Sequence, residues 1–262
     1  MEEGRMLKYQ LGYEKLLRAV GRFCDERIYQ DELARRCRAS HLDVHREVLV
    51  RVLHRGFAKP YYLDLLVECG IIYELKCAEM LSSVHQKQLI NYLLLTDLMH
   101  GKLVNFRPGS VESRFISTRL HRHDRAEYQL ADGGWCGDDK GSRLLRETLT
   151  GLLADWGAFL DVDLYREALI HFMDGPEAGV RSVDIEIDGS VIGTQKMCML
   201  SPGTAWHLSA LRQHLKSYET HVVRLLNHTR LERIHWINLD QRVVRFKTLV
   251  NNDSAVNDSV IF

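Results

Sequence analysis

Several features are missing from this sequence of 262 residues, and each absence excludes a class of protein. Lysine and arginine together number 35, as do aspartate and glutamate, so the chain has no net charge and no uniformly basic coat for nucleic acid. No hydrophobic run approaches the roughly 18 residues of a membrane helix. The opening ten residues, MEEGRMLKYQ, are polar and contain no signal-peptide core. We therefore expect a cytoplasmic protein that does not enter a membrane.

Closely spaced cysteine pairs are also missing, since none of the six cysteines forms a CxxC motif. A zinc knuckle needs such ligand pairs, so the sequence does not predict one. Most of the cysteines lie in apolar or helical-looking segments. We expect reduced and mostly buried thiols.

The composition and hydrophobic pattern are those of a globular α/β protein. Hydrophobic residues make up 45% of the chain and charged residues 27%, which excludes a mainly disordered protein. Apolar residues recur at helical spacing in two segments and follow strand-like patterns in four others. The predicted helices cover residues 5–38 and 83–98, and the predicted strands cover 43–53, 61–68, 71–76 and 102–106. This order predicts a mixed sheet flanked by helices.

The composition changes between residues 119 and 142, where aliphatic residues are few and a Gly-Gly pair occurs. That segment is typical of a linker. It divides the chain into a predicted first domain at 1–118, a linker at 119–142 and a second domain at 143–262.

The two predicted domains share short sequence blocks in the same order. We interpret them as two tandem copies of one fold that form an intramolecular pseudo-dimer. The alternative is an unrelated second α/β domain. The matched blocks are residues 21–33 with 157–169, residues 63–76 with 183–196, residues 104–106 with 237–239, and residues 114–115 with 245–246.

The first copy contains two carboxylates and an amine within a predicted hairpin. Asp64 precedes the turn at Cys69-Gly70, and Glu74 and Lys76 follow it with the two-residue spacing that places them on one face of a strand. Two carboxylates can hold a hard divalent cation such as Mg²⁺, and a lysine can orient water or stabilise negative charge. These could instead be polar residues on a solvated face. The strongly apolar strands around them favour the functional interpretation.

With these residues, the segment 61–106 resembles the GxxExxY proteins of the PD-(D/E)XK nuclease-like superfamily, through the pattern Asp64…Glu74-Leu75-Lys76…Gln88-x-x-x-Tyr92. The resemblance implies a restriction-endonuclease-like sandwich that cleaves nucleic acid with Mg²⁺, or with Mn²⁺ as a substitute. It implies that Asp64 and Glu74 are metal ligands, that Lys76 positions water, and that Gln88 assists catalysis or binds phosphate.

The resemblance also implies a further acidic ligand at Glu26, three residues before Tyr29. The sequence departs from the family pattern here, because Phe23 stands where a glycine is expected and Gly21 is displaced by two residues. Asp25 is therefore an alternative ligand.

In the second copy the site is incomplete under this alignment. Glu74 aligns with Thr194 and Glu26 with Val162, whereas Asp184 and Lys196 are retained. One carboxylate without its partner makes a poor Mg²⁺ site. We therefore expect a degenerate, non-catalytic second copy.

A local excess of positive charge precedes the predicted site. We expect these side chains to contact a phosphate backbone, although a solvated helix face is the alternative. The predicted contact residues are Arg35, Arg36, Arg38, Arg46, Arg51, Arg55 and Lys59. Together with the acidic pair they predict a Mg²⁺-dependent nuclease, with DNA favoured over RNA. The alternatives are a non-catalytic nucleic-acid-binding module and a protein-interaction scaffold, and the pattern leaves homo-oligomerisation open.

Overall fold

The protein folds into two compact units. The computed structural model describes residues 12–175 and 179–251. The first unit ends at Arg122 and the second begins at His123. None of the described helices is long and apolar enough to cross a membrane.

The first unit contains helices on both sides of a five-stranded sheet. Its helices are α1 (Tyr13–Val20), α2 (Glu26–Ala39) and α3 (Ser83–Thr96), and its strands are β1 (Val44–His54), β2 (Phe57–Val67), β3 (Ile71–Lys76), β4 (His100–Asn105) and β5 (Glu112–Ser117). The predicted helix at 5–38 is broken, because Gly21 adopts a φ of 86° after α1 and Asp25 occupies the N-cap of α2. Residues 5–11 of that prediction lie outside the described residues.

The sheet has the order β1-β2-β3-β4-β5. Strands β1, β2 and β3 are antiparallel neighbours, β3 and β4 are parallel, and β4 and β5 are antiparallel. Helix α3 makes the crossover that a parallel pair requires. The sheet is therefore mixed, as the sequence predicts.

Apolar residues cover both faces of this sheet. On one face α1 and α2 pack against Leu65, Leu75 and Phe106. On the other face α3 packs against Leu63 and Ile72. Leu63 and Leu65 are two residues apart, so a regular strand would place both on the same face of the sheet. They pack instead into the clusters on opposite faces, so β2 is irregular at Asp64.

The second unit contains a six-stranded sheet in the order β6-β11-β10-β9-β8-β7. Its strands are β6 (Gln129–Gly134), β7 (Val180–Ile187), β8 (Ser190–Ser201), β9 (Thr204–Ser209), β10 (Arg233–Asp240) and β11 (Val243–Val250). Its helices are α5 (Lys140–Trp156), α6 (Val162–Phe172) and α7 (Leu215–Asn227), and the short α4 (Arg122–Ala126) begins at the boundary.

The segment 119–142, which the composition predicts to be a linker, is part of the folded second unit from His123 onwards. It contains α4, β6 and the beginning of α5, and β6 pairs in parallel with β11. Every residue of β6 is exposed. An exposed edge strand needs no alternation of apolar and polar residues, which explains why its sequence looks like a loop.

The two units have the same connectivity of helices and strands. In the second unit β7, β8 and β9 are antiparallel neighbours, β9 and β10 are parallel across α7, and β10 and β11 are antiparallel. This repeats the pattern of β1 to β5, and β6 is added beyond β11.

Two local details recur in both units. The Tyr29 hydroxyl donates to the Gly21 carbonyl at 2.6 Å, and the Tyr165 hydroxyl donates to the Gly157 carbonyl at 2.5 Å. Both glycines end a helix with positive φ. The aligned block of residues 21–33 and 157–169 therefore corresponds in structure.

An asparagine clamp also recurs after the parallel strands. The Asn105 amide accepts from Ala78 N at 3.0 Å and donates to Ala78 O at 2.8 Å. Asn238 makes the same pair of bonds with Leu211, at 2.8 and 2.9 Å. The match of residues 104–106 with 237–239 therefore also corresponds in structure.

The alignment of residues 63–76 with 183–196 is wrong by one strand. It matches the β2–β3 hairpin with β7–β8, whereas the shared connectivity makes β8–β9 the counterpart. Asp184 and Lys196 are both exposed. Short apolar strands resemble one another in sequence, so neighbouring hairpins could be distinguished only by their pairing.

Candidate active site

The candidate site begins at Asp64, where β2 is irregular and its neighbours Leu63 and Leu65 point to opposite faces of the sheet. Asp64 Oδ2 accepts a hydrogen bond from Leu75 N at 2.6 Å, and Oδ1 accepts from Gln30 Nε2 at 2.9 Å. The regular pairing of β2 with β3 ends at Leu65 and Tyr73, the neighbours of Asp64 and Glu74 in the two strands. The carboxylate thus takes a backbone donor of β3 and is held between two strands and α2.

Glu47 lies across from Asp64 on β1. The pairs Arg46–Leu65 and Val48–Leu63 flank it, and Glu47 itself adopts a φ of 49°. A non-glycine residue in this region of backbone space is strained, and such strain is common at functional sites. Glu47 is exposed and adds negative charge to this part of the sheet.

Glu74 and Lys76 lie on the same face of β3, as their spacing predicts. Lys76 Nζ donates to Glu74 Oε1 at 2.6 Å, and the two side chains are 15% and 2% exposed. Glu74 Oε2 is buried and has no hydrogen-bond partner among the described residues. A buried carboxylate oxygen without a partner is costly, so this atom is available to a proton or a ligand.

The environment favours a protonated Glu74. Burial raises the pKa of Glu74, and the neighbouring charge of Asp64 raises it further, against the opposing effect of Lys76. A positive ion bound between the two carboxylates would replace that proton.

Asp64 follows the same electrostatic logic. Burial raises its pKa, while the Leu75 N–H and the charge of Lys76 oppose the shift, and the charges of Glu26 and Glu47 reinforce it. Four acidic groups around one lysine therefore leave a local excess of negative charge.

Lys76 stays charged in this setting. Burial alone would lower the pKa of Lys76, but the neighbouring carboxyl groups of Glu74, Glu26 and Asp64 outweigh burial and raise it. A fixed ammonium beside the carboxylates can stabilise developing negative charge.

Glu26 is placed at the edge of this group by the first turn of α2. Burial raises its pKa, opposed by the charge of Lys76 and by the backbone N–H of Cys77. The alternative ligand Asp25 is the exposed N-cap residue. The structure thus brings Glu26, rather than Asp25, towards Lys76. The carboxylates of Glu26, Asp64 and Glu74 do not all lie within 4.8 Å of one another, because no such group of three is found there among the described residues.

Gln88 lies on α3 and contacts a different partner. Gln88 Nε2 donates to the Tyr92 hydroxyl at 2.9 Å. Tyr92 is 7% exposed and belongs to the core below α3. The structure therefore gives Gln88 no direct hydrogen bond to the acidic group in the described residues.

Three of the predicted phosphate-binding arginines are neutralised within α2 and β1. Arg35 and Arg36 both bind Glu32, at 2.7 and 2.8 Å, and Arg46 binds Asp31. An arginine already paired with a carboxylate is less available for phosphate. The local charge excess read from the sequence is thus smaller in the fold.

Of the other four predicted residues, Arg38 lies in α2, whereas Arg51, Arg55 and Lys59 lie in the β1–β2 hairpin. Arg38 donates to a backbone carbonyl at 3.4 Å. Arg51 and Arg55 are exposed near the tip of the β1–β2 hairpin and form no ion pair in the described part of the chain. Lys59 lies 5.1 Å from the Tyr61 ring centroid.

Sequence reasoning missed two residues of the site, Gln30 and Glu47. Gln30 is 4% exposed and its Oε1 has no hydrogen-bond partner among the described residues. Glu26 and Gln30 are four residues apart, a spacing that places them on one face of a helix, and this signal was available in the sequence. Glu47 lies at the opposite parity to the apolar Val44, Val48, Val50 and Val52, so the pattern gave no signal for it.

The residues present fit a divalent cation. Hard cations prefer carboxylate oxygens and often use only one or two of them, with water and phosphate completing the shell. Asp64 and Glu74 would supply those oxygens, and the partnerless Glu74 Oε2 is available. Such a cation polarises a phosphate and acidifies bound water. Gln30 and Leu75 N hold Asp64 by hydrogen bonds, and Lys76 would stabilise negative charge.

Comparison with known proteins gives one match. Residues 10–116 match the model of the PD-(D/E)XK nuclease superfamily, and the match includes Glu26, Asp64, Glu74 and Lys76. No curated protein and no solved structure matches the chain significantly. The match ends before the second unit and does not distinguish the GxxExxY family. The N-terminal part of the chain therefore contains a PD-(D/E)XK nuclease-like domain.

Proposed function

We propose that the first unit is a Mg²⁺-dependent nuclease that hydrolyses phosphodiester bonds. The observation that carries this proposal is the buried Glu74, whose Oε2 has no partner while Oε1 is bound by Lys76. A purely structural carboxylate would have both oxygens satisfied or exposed. Asp64 and Glu74 would bind Mg²⁺, with Mn²⁺ as a substitute, and Glu26 would act through water or the substrate.

The substrate we propose is DNA, as in the GxxExxY interpretation of the sequence. Arg51 and Arg55 are exposed and without an acidic partner in the described structure, so they are the strongest phosphate-binding candidates. The paired Arg35, Arg36 and Arg46 would contribute less. A cytoplasmic location and homo-oligomerisation stay predictions.

We further propose that the second unit is a degenerate tandem copy of the first. Lys76 pairs with Asn105 across the parallel strands, and Ser209 pairs with Asn238 in the same way. The shared clamps on these asparagines make Ser209 the counterpart of Lys76.

The same register identifies the other counterparts. His207 corresponds to Glu74, and Met197, one residue before the Cys198–Trp206 pair, corresponds to Asp64. His207 is bound to the Tyr218 hydroxyl at 2.5 Å. A methionine, a histidine and a serine do not make a Mg²⁺ site, so catalysis is assigned to the first unit alone.

The experiment is cleavage of supercoiled plasmid DNA with Mg²⁺, compared with EDTA. Glu74→Gln and Lys76→Met should each lower the cleavage rate about 100-fold or more, since each removes a preorganised charge. Glu79→Gln and Lys87→Met are matched controls at exposed positions and should cleave like the wild type.

Equal cleavage by folded Glu74→Gln protein would contradict the proposal. Salt-sensitive DNA binding without any turnover would favour the alternative of a non-catalytic binding module. Absence of both would favour a protein-interaction scaffold.

A further inference from the structure

A second group of metal-binding side chains lies at the end of the sheet where β1 begins. The ligand atoms of Asp43, His45 and Cys69 all lie within 4.8 Å of one another. Among the described residues this is the one group of three His, Cys, Asp or Glu side chains that meets that distance. It combines a carboxylate, an imidazole and a thiol.

The backbone holds these side chains on a fixed frame. Glu68 N donates to Asp43 O at 2.9 Å, and Asp43 N donates to Glu68 Oε1 at 2.6 Å. Glu68 and Cys69 both adopt left-handed backbone conformations, with φ of 52° and 50°. The tight turn after β2 thereby carries the Cys69 side chain to the start of β1.

The spacing of the donor atoms is close to what a tetrahedral zinc ion needs. Zinc–ligand bonds of about 2.0–2.3 Å place neighbouring donor atoms about 3.3–3.6 Å apart. His45 Nε2 lies 3.1 Å from Asp43 Oδ2, and Cys69 Sγ lies 4.0 Å from the same oxygen. All three residues are exposed, so none of their side chains is fixed in the packed core.

The donor set also selects the type of cation. Thiolate and imidazole ligands favour zinc and similar transition metals, whereas Mg²⁺ prefers an all-oxygen shell. His45 Nε2 and Cys69 Sγ both lie against the same oxygen of Asp43, so one ion could contact all three donor atoms.

We propose that Asp43, His45 and Cys69 bind Zn²⁺, with water in the fourth position. This site is separate in chemistry from Asp64 and Glu74. It would join the start of β1 to the β2–β3 turn and stabilise the first unit.

The test is titration of the reduced full-length protein with Co²⁺, a spectroscopic substitute for zinc, in a non-thiol reductant. A thiolate ligand gives a sulfur-to-cobalt charge-transfer band, which carboxylate ligands do not give. We expect the band in the wild type and its loss in Cys69→Ser. Cys136→Ser is the matched control, because Cys136 is also an exposed free thiol, and it should keep the band.

Two further measurements separate this site from the proposed nuclease site. Glu74→Gln should keep the cobalt band even if it loses cleavage. Zn²⁺ should raise the melting temperature of the wild type and Cys136→Ser, and Asp43→Asn should bind Zn²⁺ at least tenfold more weakly. Absence of the band, its persistence in Cys69→Ser, or its loss in Glu74→Gln would each overturn the proposal.

Discussion

Replacing Glu74 with glutamine should change the pH dependence of stability in a defined direction. The side chain is 2% exposed and its Oε2 has no partner in the described structure. Burial and the charge of Asp64 raise its pKa from 4.5 to about 8. Glutamine has the same shape, can still accept a hydrogen bond from Lys76, and carries no charge at any pH.

The sign follows from proton binding. Because the folded pKa lies above the unfolded one, the native state holds a proton that the unfolded state releases above pH 4.5. The stability linked to that proton is complete below pH 4.5 and is lost as the pH rises through about 8. A pKa raised this far corresponds to about 5 kcal/mol, and relaxation around the ionised group reduces this to about 2–4 kcal/mol.

Urea unfolding of metal-free protein at pH 5, 7 and 9 measures this difference. Glu74→Gln should gain about 2–4 kcal/mol relative to the wild type between pH 5 and pH 9. Glu79→Gln should follow the wild type, because Glu79 is exposed. Mg²⁺ at pH 8 should stabilise the wild type and leave Glu74→Gln unchanged. Parallel pH curves for the wild type and Glu74→Gln would show that Glu74 is not protonated in the folded state at neutral pH.

Three further substitutions test the frame around the site. Gln30→Leu removes the 2.9 Å hydrogen bond that favours the ionised Asp64 carboxylate, so the pKa of Asp64 should rise. The acid limb of the pH–rate profile for DNA cleavage should therefore move to higher pH, and an unchanged profile would contradict this role. Gly101→Ala places a Cβ 2.8 Å from a methyl of the fully buried Leu89, and chemical denaturation should show a loss of about 1–3 kcal/mol. Tyr29→Phe removes the 2.6 Å bond that closes α1 and should cost about 1 kcal/mol by the same measurement, so a stability equal to wild type would argue against that bond.

Much of the fold could be predicted because local patterns fix local structure. Strand β3 runs from Ile71 to Lys76 as predicted, since a turn and a short apolar run bound it clearly. The broken helix before it was harder, because an amphipathic pattern continues across Gly21 although the chain does not remain helical. The edge strand β6 has no apolar alternation, so composition alone indicated a loop.

The two-residue period of a strand was enough to predict that Glu74 and Lys76 share one face of β3, and their side chains are in contact there. The sequence also indicated Glu26 through a family resemblance. Tertiary structure alone decided that Gln30 binds Asp64 and that Glu47 lies across from it, since these contacts join residues far apart in the chain.

The similarity of the two units was likewise predictable from the sequence only in part. Matching of short blocks predicted equivalent segments at Tyr29 and Asn105, and both make the same hydrogen bonds as their matches in the second unit. Only strand pairing decided which hairpin of the second unit corresponds to the first, because similar apolar strands fit several registers. Tertiary structure also assembled Asp43, His45 and Cys69, since ligands from a strand and a distant turn share no spacing that a sequence motif could reveal.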